Sequence, residues 1–151
     1  MGGANGTIEI TGLTLDQADV SEFVAVLAGS KSSTSSELYL SVNGLSSNYE
    51  IQSLQSSGTS VGAVERTGQS QWNFDNQAST GIFVVARITM NPAEDKFLCS
   101  IQSSTDKDST MISVASNTTA SQTQLTEVSF TMSSSTYKTD TTLSLYKCTV
   151  A

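Results

Sequence analysis

Residues 38–51 read LYLSVNGLSSNYEI, an alternating run that halts at Asn-Gly and resumes at Asn-Tyr after a serine-rich turn. Leu38, Leu40 and Val42 fall on one face and Tyr39 and Ser41 on the other, which is the period-2 signature of a half-buried β-strand. Asn43 and Gly44 are residue types that accept positive φ at low cost, so they predict a tight turn. The local reading is strand, turn, strand.

The same pattern extends in both directions. TIEITGL (7–13) sets Ile8 and Ile10 on one face, and LTLDQADV (13–20) is expected to be a connection with at most one short helical turn. SEFVAVLAG (21–29) is apolar on both faces through Phe23, Val24, Val26 and Leu27, as in a central strand covered on each side. After a polar loop at 31–36 and the opening unit comes a Gly/Ser-rich passage containing VGAVERT (61–67). QSQWNFD (69–75) places Trp72 and Phe74 together, an arrangement that suits a core face better than an exposed one.

GIFVVARITM (81–90) is the strongest β-former, with Ile82, Val84, Ala86, Ile88 and Met90 on one side. It stops at Asn91-Pro92, where proline removes a ladder donor. FLCSIQS, MISVAS, LTEVSFTM and TLSLYKCTV complete the series. In LTEVSFTM, Val128, Phe130 and Met132 share a face. Nine or ten strands separated by Ser, Thr, Gly and Asn clusters predict an all-β antiparallel sandwich of about 8–10 strands. Residues 1–6 are expected to form a flexible N-terminal arm and residues 7–151 a single domain.

Composition narrows the function. Ser and Thr together approach a third of the chain, charged residues are 14% and proline occurs once. A net charge of -7 with seven scattered Lys and Arg argues against nucleic acid, which needs clustered cations to displace counterions. No apolar run nears the roughly 20 residues that span a bilayer. The start, MGGANGTIEI, lacks the charged and apolar regions of a signal peptide, so any surface location is expected to be reached by another route.

Histidine is absent, which removes the commonest general base, and no serine sits in a Gly-x-Ser-x-Gly elbow. Glu50, Glu65, Asp75 and Glu127 lie in or beside strands, but sequence spacing brings no two of them to a glycosidase separation. The expectation is a protein that is not an enzyme and carries no cofactor. Asp106 and Asp108, with Glu94 and Asp95 as a second acidic spot, lack the glycine and closing glutamate of a calcium loop and are read as solvated, not as a metal site. Sequons at Asn5 and Asn117 are expected by chance in so hydroxyl-rich a chain. Cys99 and Cys148 fit either two thiols packed as small hydrophobes or a bridge between distant strands. Tyr39 points away from Leu38 and Leu40, toward a partner, a ligand or water.

Leu40-x-Val42-Asn43-Gly44 followed by Ser47-Asn48-Tyr49 resembles an element, F-N-G and then S-N-Y, of small single-domain virion proteins of tailed phages. ITGL near the start, VSEFVAVLAG, ARITMNPAEDKFLCS and TLSLYKCTVA resemble the corresponding strands of that group, so the likeness runs over nearly the whole chain. The Gly-Asp common after the group's Asn-Gly turn is missing, and Lys147-Cys148 stands where glycine is frequent. The resemblance implies a jelly-roll order with the Asn-Gly element joining neighbouring strands. It also implies a capsid decoration or cement protein that binds the major capsid protein, assembles as a homotrimer, and sits on the virion surface after assembly in the host cytoplasm. Gly2, Gly3, Ala4 and Asn5 of the arm, with Tyr39 and Tyr49, are then the candidate partner contacts. The alternative is a tail-associated module that binds a receptor or glycan through exposed tyrosines or the loop of Asp106 and Asp108.

Overall fold

The computed structural model describes residues 6–13, 15–16, 22–33, 36–57, 60–77, 80–91, 96–104, 109–117, 122 and 124–148. Among these residues are thirteen strands and no helix. They are β1 (Thr7–Ile10), β2 (Leu15–Asp16), β3 (Glu22–Ser30), β4 (Ser36–Val42), β5 (Tyr49–Ser57), β6 (Ser60–Gln69), β7 (Trp72–Gln77), β8 (Gly81–Asn91), β9 (Lys96–Ser104), β10 (Ser109–Asn117), β11 (Gln124–Leu125), β12 (Val128–Met132) and β13 (Thr142–Cys148). The count exceeds the expected 8–10 because β6 reads as a loop in sequence, β2 falls in a segment read as a connection, and the run LTEVSFTM divides between β11 and β12.

A four-stranded sheet has the order β1-β12-β4-β7, and a seven-stranded sheet the order β13-β3-β8-β9-β10-β5-β6. The sheets are antiparallel throughout and pack as a sandwich. Early strands pair with late ones, β3 with β13, β4 with β12 and β5 with β10. That nesting is what a long hairpin gives when it is wrapped over two sheets, as in a jelly roll. The inner β8·β9 hairpin stays in the large sheet, between β3 and β10.

Alternation puts one face of each sheet into the shared core. Leu38, Leu40 and Val42 of β4 and Val128 and Phe130 of β12 meet Phe23, Ala25 and Leu27 of β3 and Val84, Ala86 and Ile88 of β8, all buried. The expectation that β3 is covered on both sides fails. Val24 and Val26 are only half-buried, because the outer face of the large sheet carries no third layer among the described residues. β7 lies across from β5, β9 and β10, and β1 across from β13. β6, whose strand partner is β5, stands at the edge with both faces largely exposed.

The Asn-Gly turn forms, but it does not make a hairpin. Leu45 N–H donates to Val42 C=O at 3.0 Å, with φ of 52° at Asn43 and 64° at Gly44, a conformation that glycine and asparagine tolerate best. β4 then ends in the small sheet and β5 begins in the large one, so the segment crosses between sheets and the two strands are not neighbours in either. Asn43 Oδ1 accepts from the backbone N–H groups of Thr126 at 2.7 Å and Glu127 at 3.2 Å, while its Nδ2 donates to Gln124 C=O at 2.7 Å. Tyr49 is fully buried, accepts from Val42 N–H at 3.3 Å and donates to Leu45 C=O at 3.1 Å. Its ring meets the buried Trp72 edge-on, with centroids 5.0 Å apart.

Two further expectations are refined. Gly6 is tied to the body, since its C=O accepts from Met132 N–H at 2.6 Å, and residues 1–5 lie outside the described residues. Cys99 and Cys148 are not bridged. The ladders align Cys99 through Ile88 and Phe23 with Lys147, so three strand spacings, roughly 14 Å, separate β9 from β13. That is about twice the reach of a disulfide.

Tyr49→Phe keeps the ring but leaves Val42 N–H and Leu45 C=O without the phenol. The expected loss is about 1–3 kcal/mol, read as a lower urea midpoint at an unchanged slope. An unshifted midpoint would mean that the phenol does not hold the crossing. For the thiols, Cys99 is buried and its burial pushes the thiol well above the ordinary range. Ellman's reagent should therefore titrate Cys148 in the native protein and Cys99 only after unfolding. Two fast thiols would contradict the packing of β9.

Candidate functional site

Sequence alternation places Glu37 and Tyr39 on the outer face of β4, and the ladders set Thr131 of β12 and Asn73 of β7 on either side of Tyr39. β7 reaches this register through a bulge. Leu38 faces Asp75 and Tyr39 faces Asn73, so Phe74 is the extra residue. The alternation that groups Trp72 with Phe74 is broken at that point. Trp72 is buried, and the Phe74 side chain lies outside the described residues.

A second irregularity shapes the opposite wall. Tyr49 pairs with Gln69 and Ile51 with Arg66, so β6 carries one extra residue around Thr67 and Gly68. Gly68 has φ of 63°, a left-handed value that a bulge requires and glycine supplies cheaply. Arg66 and Gln69 from this bent end, with Gln71 from the turn into β7, close an open cleft of about 690 Å³ over Glu37, Tyr39 and Asn73. That volume lies within the range of small-molecule sites.

The polar groups in the cleft are held in place. Tyr39 OH donates to Glu37 Oε2, which also accepts from Asn73 Nδ2 at 3.2 Å. Glu37 N–H donates to Ser133 Oγ at 3.1 Å, so both ends of the residue are pinned. Burial, then the hydrogen bond to Glu37 and its charge, pushes the Tyr39 phenol up to about 12, while Ser133 and Arg66 act in the opposite direction. Tyr39 is thus a neutral donor at every physiological pH. The cleft offers a carboxylate, a guanidinium, a phenol and carboxamides within one cavity, a donor and acceptor set suited to a polyhydroxylated ligand.

Of the sequence-derived candidates, Tyr39 lies at the centre of this cleft and Tyr49 does not belong to it. Tyr49, expected at a partner surface, is fully buried and serves the crossing between sheets. Gly2, Gly3, Ala4 and Asn5, the acidic pairs Glu94/Asp95 and Asp106/Asp108, and the second and third positions of the Asn117 sequon lie outside the described residues. Glu50 and Glu65 are exposed and Glu127 is half-buried, and among the described residues no three Cys, Asp or Glu side chains gather as a metal site. Glu37, Arg66 and Asn73 are the residues that sequence reading missed. For Glu37 a signal existed, since it shares the face of Tyr39 in ELYL.

Because the Tyr39 pKa is raised on folding, its neutral contacts are at full strength below the ordinary value of 10.0 and are lost as pH rises toward about 12. Wild-type stability is therefore expected to fall between pH 10 and 12 relative to Tyr39→Phe, in paired denaturation curves. Parallel curves would show that folding does not raise the phenol's pKa.

No protein-family model matches the chain, and no curated protein matches it.

Proposed function

We propose that this chain is a non-enzymatic structural protein of a tailed-phage virion, a decoration protein that lies on the outer surface of the head and stabilises it. The observation that carries the reading is the placement of its exposed apolar side chains. Among the described residues the large exposed ones are Leu54, Val61, Phe83, Leu98 and Tyr146, each between 41% and 73% accessible. The ladders put all five on the outer face of the large sheet, with Phe83 opposite Ala28, Val61 opposite Ser56 and Tyr146 opposite Val24.

Seven strands make that face roughly 29 Å wide, and half-buried Val24, Val26 and Val85 fill it between the exposed residues. A broad sheet face with apolar and hydroxyl side chains at its middle, and with Glu22, Arg87, Lys96, Glu50 and Glu65 among them, suits attachment to a larger protein surface. Its partners are the major capsid protein and, in a homotrimer, other copies of the chain. The acidic balance of the whole molecule keeps crowded copies soluble and mutually repelling. A second reading, a tail-associated glycan-binding module, is favoured by the cleft around Tyr39.

Purified protein mixed with undecorated heads is expected to co-sediment and to saturate at a copy number set by the symmetry of the shell. The triple variant L54S/F83S/Y146S changes only exposed positions and is expected to bind at least ~10-fold more weakly with an unchanged melting temperature. Absence of saturable binding to heads would overturn the decoration reading. Undiminished binding by the triple variant would move the contact away from this sheet.

A further inference from the structure

Resting on the second of these readings, we infer that the cleft between β6 and the small sheet is a binding site for a pyranose glycan carrying a carboxylate, a uronic or sialic acid, with Arg66 receiving the acid group and Glu37 and Tyr39 the hydroxyls. The argument is an inventory of what each group has left to give. Glu37 Oε2 is occupied by Tyr39 and Asn73, which leaves Oε1 as the acceptor for a ligand hydroxyl. Tyr39 has spent its proton on Glu37, so its oxygen, which the Ser133 hydroxyl also approaches, has only acceptor capacity left. Neutral hydroxyls fit both.

Arg66 is different. Its guanidinium lines the same cleft and is close enough for its charge to act on Tyr39, yet it has no hydrogen bond or ion pair among the described residues. It shares a face with Ile51, the face that turns toward the core elsewhere in the sheet, and is only half-exposed there. No ion pair joins it to the Glu37 carboxylate that lines the same cleft. A half-buried guanidinium with its planar fork of donors unspent is matched best by an oxyanion that can take two of them. The hydroxyl acceptors beside it restrict that oxyanion to a polyhydroxylated molecule. A sugar acid satisfies both conditions.

The test is titration of the isotopically labelled full chain with tri-galacturonate, sialyllactose and neutral maltotriose, followed by amide NMR shifts. The expected result is saturable shifts at Glu37, Tyr39, Arg66 and Asn73 with at least one acidic probe, in the millimolar range or tighter, weakening with salt as a guanidinium–carboxylate contact does. R66Q is expected to lose that binding at least tenfold at an unchanged melting temperature, whereas R87Q, which alters the exposed Arg87–Glu22 pair on the other sheet face, leaves it intact. Equal binding of maltotriose, indifferent to R66Q, would overturn the acidic class while the glycan-module reading stands. No shift with any of the three probes would overturn both.

Discussion

The chain has six residues in which to leave one sheet and enter the other, from Val42 to Tyr49, and the sandwich depends on how their polar groups are satisfied. A crossing between sheets has no ladder to pair its backbone, and unpaired groups there would cost about 1–3 kcal/mol each. Side chains substitute for the ladder. Asn43 gathers the β11–β12 segment from one side, and the Tyr49 phenol closes on Val42 and Leu45 from below. Register follows from this. A slip of one residue in β4 or β5 would turn Leu38, Leu40 and Val42, or Tyr49 and Ile51, from the core face to the solvent face.

The crossing also fixes where Trp72 sits. Its indole packs edge-on against Tyr49, a contact worth about 0.5–1.5 kcal/mol beyond the area it buries. Trp72 is the residue of β7 that faces inward just before the bulge at Phe74, and the next residue, Asn73, faces the cleft. The aromatic pair that locks the crossing therefore sets the position of Asn73, and through Asn73 that of Glu37. One wall of the cleft is thereby tied to the core through Trp72 and Asn73.

What could be read in the sequence was whatever a period of two determines. In β4, β8, β9 and β12 every second side chain meets the core, so their inward residues stand as the pattern places them, although Ser41 and Ser129 on the other face of the small sheet are buried too. Three features escaped for physical reasons. β6 is exposed on both faces and so has no hydrophobic period to detect. The outward valines of β3 mimic a doubly covered strand, since a face awaiting a partner and a face already buried have the same composition. The Asn-Gly turn was legible as dihedral angles, but dihedral angles do not say which strand comes to lie beside which. The cleft was half legible: Tyr39 follows from alternation, whereas Asn73 and Arg66 reach it through bulges, which add a residue and leave no periodic trace. Tyr49 misled because a tyrosine after a run of serines and asparagine looks like surface, while its burial comes from the turn its hydroxyl serves.

The two proposed surfaces lie on opposite sides of the molecule, so the two contacts would not compete for one face. The apolar residues occupy the outer face of the large sheet, and the cleft is framed by the outer face of the small one. A copy seated on a particle through Phe83, Leu98 and Tyr146 would turn Tyr39 and Glu37 outward, away from the shell. Attachment and recognition then draw on different physics. The first is area-driven burial of apolar surface against one partner, and the second is a small set of directed hydrogen bonds to a soluble group. An open, polar cleft binds a sugar weakly, because each hydrogen bond formed replaces one already made to water. If copies were arrayed as proposed, weak sites would reach the same glycan-coated surface together, and the effective concentration of one would raise the occupancy of the next. A site too weak to be useful on a single molecule would become useful in such an array.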